Sequence, residues 1–89
     1  MRNIRLNDGS VWPVDRCAAA NGLLYLRLTA PGITILTAAQ AFDDPEKTAR
    51  IEHYFDGTDT DRHVYEGLTR LIFLQWDGDA ILLCLGQPE

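Results

Sequence analysis

Two histidines, two cysteines and a run of aspartates are the side chains here that could hold a metal or move a proton. They are His53 and His63, Cys17 and Cys84, and Asp56, Asp59 and Asp61. In "DGTDTDRH" (56–63) acids alternate with small polar residues, a pattern that invites an oxygen-liganded cation such as calcium. The order required by an EF-hand fails, because glycine must stand sixth and glutamate twelfth, whereas Gly57 comes at the start of this run. The segment reads instead as a solvated hairpin loop. With Asp61 two residues before His63 a metal site can be drawn, but the ligand spacing matches no zinc pattern. The histidines read as a half-buried strand residue and a loop residue.

The cysteines lack CxxC spacing and read as small buried thiols. If both face the core they become neighbours that oxidation could bridge. Ser10 is the only serine and no GxSxG elbow surrounds it; glycine-rich phosphate loops are absent too. The acids of "AFDDPEKTARI" (41–51) have a structural use. Asp44-Pro45 matches an N-cap followed by proline at N1, and Glu46 places negative charge in the first helical turn. No catalytic, metal or cofactor-binding residues are therefore expected, nor a small-molecule substrate, and the chain reads as a non-enzyme.

Recognition is the remaining chemistry. Large aromatics and arginine are favoured at protein interfaces. Trp12, Pro13, Tyr25, Arg27, Tyr54 and Tyr65 are the candidate interface residues. Trp12 leads them because Pro13, which has no N–H to give a ladder, marks an edge strand or a bulge. An edge beside an exposed tryptophan suits strand addition.

The elements that position these residues follow from periodicity. "NIRL" and "VWPVDRC" flank the turn "NDGS", a hairpin. "LLYLRL" (23–28) alternates, with Leu24, Leu26 and Leu28 assigned to the core and Tyr25 and Arg27 to a half-exposed face. "TILTAAQAF" (34–42) changes to helical spacing at Ile35, Leu36, Ala39 and Phe42, with Thr34 as N-cap; the rival reading is a short strand at Ile33–Leu36 followed by a turn of helix, and the helix is favoured. A short helical turn at "PEKTAR" follows. "IEHYF" alternates again, with Ile51, His53 and Phe55 on one face and Glu52 and Tyr54 on the other. "HVYEGLTRLIFLQW" carries further strands, broken by Gly67 at a bulge or corner. "DGD" (77–79) turns the chain into the last strand, "AILLCL", before a frayed "GQPE". Strands outnumber helices and tight turns join neighbours. The fold expected is α+β: a small antiparallel sheet or partly open barrel of six to seven short strands, with one or two short helices inserted mid-chain.

Composition sets outer bounds. Eighty-nine residues fit one domain, and 46% hydrophobic with 24% charged residues is the make-up of a folded one. The net charge is −5 and no basic stripe exists, so direct nucleic-acid binding through phosphates is not expected. The N-terminus lacks the apolar stretch of a signal peptide, and no run is long enough to span a membrane. A cytoplasmic location is expected.

"DGS" (8–10), "RC" (16–17), "NGLL" (21–24), "TILTAAQAF" (34–42), "DPEKTARI" (44–51), "YEGLTRL" (65–71) and the closing apolar strand form a pattern covering most of the chain. It resembles a group of small proteins encoded in prophages of Gram-positive gut bacteria, often near tail-assembly genes. "WP" and "TDTD" depart from it. The resemblance implies a tail- or baseplate-associated accessory protein of the host cytoplasm or the virion, acting through a protein partner or self-association. It carries over no catalytic residue. The alternative is an acidic prophage-encoded inhibitor of a nucleic-acid-processing protein, favoured if Asp56, Asp59, Asp61, Asp77 and Asp79 cluster.

Overall fold

Alternation and turn chemistry produce seven strands and two short helices in a computed structural model that describes residues 2–55 and 61–89. Asp56, Gly57 and Asp59 of the calcium-like loop lie outside the described residues. In chain order the elements are β1 (Asn3–Arg5), β2 (Val11–Ala20), β3 (Leu23–Leu28), α1 (Ile35–Phe42), α2 (Pro45–Thr48), β4 (Arg50–Tyr54), β5 (Arg62–Glu66), β6 (Arg70–Asp77) and β7 (Ala80–Gly86). All pairings are antiparallel, in one open sheet of order β5-β4-β1-β2-β3-β7-β6. This is the α+β architecture expected from the pattern.

β2 divides the sheet. Its first residues pair with β1, Pro13 opposite Asn3, whereas from Val14 onward it pairs with β3. The ladder shifts register between Val14 and Arg16, and such a bulge bends a strand. Pro13 therefore marks a bulge but not an edge, because β2 lies inside the sheet. The Pro13 carbonyl accepts from Thr29 N–H, just past the last paired residue of β3. Its nitrogen turns to the same side, where the ladder has ended and no donor is missed.

The second corner is Gly67. The strands at the two ends of the sheet, β5 and β6, are joined only by residues 67–69. That link reaches about 15 Å at most, whereas the edges of a flat seven-stranded sheet lie about 29 Å apart. The sheet must therefore curl. Gly67 takes φ 78° at the bend, and its N–H donates to the Ala49 carbonyl. Curling lets both halves of the sheet share one core, with Ile4 and Ile51 from one half and Leu24, Leu26, Leu28, Ile81, Leu83 and Leu85 from the other.

β2 runs through its three alanines to Ala20, further than "VWPVDRC" suggested, before Asn21 (φ 55°) and Gly22 (φ 76°) reverse it. Positive φ at both turn positions is the twist that a two-residue hairpin demands. Gly22→Ala is expected to lose about 1 kcal/mol in urea unfolding. A Cβ there would meet no atom within 4 Å, so the loss is purely backbone strain. An unchanged midpoint would disprove the turn geometry.

The helices follow their caps. Thr34 Oγ1 accepts from Thr37 N–H at 3.1 Å, and Asp44 Oδ1 accepts from Glu46 N–H at 3.0 Å with Pro45 behind it. The buried side of α1 is Ala38, Ala41 and Phe42, with Ile35 and Ala39 partly covered. Leu36, one of the apolar residues at helical spacing, is 68% exposed. It lies about 100° round the helix from Ile35 and about 140° from the centre of the stripe on Ala38 and Phe42, on the far side of the helix. Gly86, expected in the frayed tail, is the last residue of β7.

Candidate functional site

The half of the sheet made by β2, β3, β7 and β6 carries large apolar residues on both faces, with Arg16, Arg27, Arg70 and Gln75 interspersed on the outer one. Leu24, Leu26, Leu28, Ile81, Leu83 and Leu85 point into the core. The intervening residues point outward, and register aligns them in rows. Ala18, Tyr25, Cys84 and Phe73 form one row, and Ala20, Leu23, Gly86 and Arg70 the next. A half-exposed antiparallel sheet ordinarily alternates apolar with polar. Here the outward positions of β7 are Leu82, Cys84 and Gly86.

These residues close over one another. The Tyr25 and Phe73 rings sit 6.4 Å apart, leaning together from strands on either side of Cys84, which is fully buried beneath them. A Cβ on Gly86 would meet Ile72 Cδ1 at 2.7 Å and Leu23 Cδ2 at 3.1 Å, so these two side chains roof the glycine. Leu23, Tyr25, Phe73 and Leu82 remain half-exposed, and Ile72 is exposed. Contiguous apolar surface is uncommon on small proteins away from contact sites.

A charged group closes one end of the patch. Arg27 Nε donates to Asp77 Oδ2 at 2.8 Å, its Nη2 to the Asp77 carbonyl at 3.3 Å, and its Nη1 to Asp15. The bond to Asp77, and Asp15 beside it, raise the guanidinium pKa, so Arg27 stays charged and held along the sheet.

Of the residues chosen from sequence, only Tyr25 and Arg27 lie on this face. Trp12 points inward, half-buried, with its ring edge-on to Phe42 at 5.4 Å. Tyr65 also faces inward, directly opposite Ile51. Tyr54 is only 5% exposed; its hydroxyl donates to Glu52 Oε2 at 2.6 Å on the other half of the sheet. Leu23, Ile72, Phe73 and Leu82 were missed. The signal that could have found them is two-sided hydrophobicity: "AILLCL" and "LLYLRL" are too apolar for strands with one wet face.

The histidines are direct cross-strand neighbours. Phe55 lies close to both, with ring centroids 4.3 Å from His53 and 4.9 Å from His63. Among the described residues no three of His, Cys, Asp and Glu gather as metal ligands. Cys17 pairs with Leu26 on the inner face, while Cys84 lies outward across β3, so the two thiols do not meet. Burial pushes the Cys17 thiol up to about 11 despite the Tyr65 hydroxyl and Arg2, which act the other way, and burial raises Cys84 too. Neither is a ready thiolate at neutral pH. Among the described residues no helix is long and apolar enough to cross a membrane. Searches against protein-family models, curated proteins and solved structures give no significant match for this chain.

Proposed function

We propose that this chain is a non-enzymatic interaction module that docks a protein partner through the outward face of β3, β6 and β7. Its setting is the assembly of a phage tail or baseplate, in the cytoplasm of the bacterial host or in the virion. The observation that carries the reading is the apolar cluster of Leu23, Tyr25, Ile72, Phe73 and Leu82, built on a rigid sheet and left facing solvent. The prophage-like sequence pattern supplies the setting.

Titration calorimetry of the purified chain against the tail proteins encoded beside it tests the reading. Binding is expected with a negative heat-capacity change, the mark of apolar burial. Phe73→Lys is expected to weaken it by about a hundredfold, as loss of a central aromatic anchor does, while circular dichroism stays unchanged. Unaltered affinity in that variant, or no binding to any of those proteins, sinks it.

One observation favours the acidic-inhibitor reading. Asp15 and Asp77 meet at Arg27, and Asp79 follows in the same turn. Steep weakening of partner binding with added salt would select that reading, because exposed charges are screened and apolar contacts are not.

A further inference from the structure

β6 stands at one end of the sheet, paired only with β7. Natural edge strands are usually blunted by charge, proline or short length. β5, at the other end, is five residues long and carries Arg62 and Glu66. β6 runs eight residues, and between Arg70 and Asp77 its "LIFLQW" has neither charge nor proline. Ile72 and Trp76 along it are exposed. The middle of the edge thus lacks charge and proline, its ends are oppositely charged, and α1 packs against the strand. A groove of about 420 Å³ lies open between Asp43 and Pro45 on one side and Arg70 and Leu71 on the other.

A two-fold axis turns that polarity into complementarity. Leu71 pairs with Leu85 and Phe73 with Cys84, so Ile72 is the extra residue of a bulge. The strand therefore fills an odd number of ladder positions, with Leu74 at the centre. Antiparallel pairing with a second β6 about Leu74 sets Arg70 opposite Asp77 of the second copy and Leu71 opposite Trp76. The Ile72–Phe73 bulge then meets Gln75. Every pair joins residues of one face, since Arg70, Phe73, Gln75 and Asp77 point outward and Leu71, Leu74 and Trp76 inward. Without the bulge the same end-to-end pairing would set inward residues against outward ones.

The charges point the same way. Asp15 and Asp77 share the single guanidinium of Arg27, which leaves one carboxylate of that trio uncompensated. The acid paired with Arg70 is Glu89, on the exposed terminal segment.

We infer that the chain forms a two-fold symmetric dimer by antiparallel pairing of β6 with β6 of a second copy. The inference stands apart from the docking role of the outward face, although the pairing would make that face continuous across both copies. Sedimentation equilibrium over a concentration series is expected to show reversible association to twice the 10.0 kDa chain mass. Arg70→Asp or Asp77→Arg alone puts like charges at both ends and is expected to raise the dissociation constant about tenfold. Mixed in equal amounts, the two variants are complementary and should form a heterodimer with close to the original affinity. Arg70→Asp disturbs only the contacts to the terminal segment within its own chain, so it carries the test if Asp77→Arg proves unstable. A monomer at every concentration overturns the inference. So does association indifferent to Arg70→Asp, which would place the contact on another surface.

Discussion

Phe42→Ala is expected to lower the melting temperature by roughly 15–30 °C, from a loss of about 3–5 kcal/mol. Phe42 is fully buried at the end of α1, is the largest completely enclosed side chain among the described residues, and its ring meets Trp12 edge-on. Removing it deletes the transfer energy of a whole ring and leaves a void between helix and sheet. A chain of this length has a total stability of about 4–13 kcal/mol, so the variant sits near the threshold of folding. Phe42→Leu keeps much of the volume and is expected to lose clearly less. Leu36→Ala is the internal control. Leu36 belongs to the same stretch and shares its helical spacing, yet it is exposed, so its change is expected within about 0.5 kcal/mol. Thermal unfolding followed by circular dichroism reads all three. Comparable losses for Leu36→Ala and Phe42→Ala would mean that the helix presents a different face to the sheet.

Leu36 also shows where the sequence stops being informative. Local chemistry was legible wherever one residue decides one dihedral or one cap. The turn at Asp8-Gly9, the Thr34 cap, the Asp44-Pro45 start and the inward leucines of "LLYLRL" all stand as read. Strand parity is a property of the chain, so His53 and Ile51 on one face could be told from Glu52 on the other. Which strands become neighbours is not. Pro13 signals a missing donor equally well at an edge and at the end of a ladder inside a sheet, and the sequence does not distinguish the two. Tyr54 alternates as an outward residue but is covered, because Glu52 accepts its hydroxyl and Arg5 lies 5.0 Å from its ring. The pairing Arg27–Asp77 spans fifty positions of sequence, and no local signal announces it. The candidate surface was therefore half legible. Tyr25 and Arg27 were visible from one strand, whereas Phe73, Ile72 and Leu82 join them only through the β3-β7-β6 order.

Below pH 6.5 this protein is expected to lose stability before its carboxylates titrate, and His53 is the reason. Its side chain is 1% exposed, and neither ring nitrogen has a hydrogen-bond partner among the described residues. Burial lowers its pKa from 6.5; the positive charge of Arg2 and that of His63 lower it further, and Asp61 opposes them. In the unfolded chain the imidazole takes up its proton near 6.5, whereas in the folded protein it does so only at a lower pH. The unfolded state therefore binds more protons in that interval, and stability falls as pH drops, by up to about 1.4 kcal/mol per pH unit for one group. The loss is absent above about 6.5 and ends once the folded-state pKa is passed. Carboxylates enter lower down. Glu52, whose pKa the Tyr54 hydroxyl depresses, gives up its contribution only as pH falls below 4.5. Urea midpoints between pH 7.5 and 5 thus separate the histidines from the carboxylates, and the His53 variant assigns the slope. His53→Leu is expected to flatten that slope and to equal or exceed the parent in stability at pH 7, because it removes two buried nitrogens that bond to nothing and keeps the volume. A slope that survives the substitution, or an NMR titration placing His53 at 6.5 or above, would show that the imidazole is solvated or partnered.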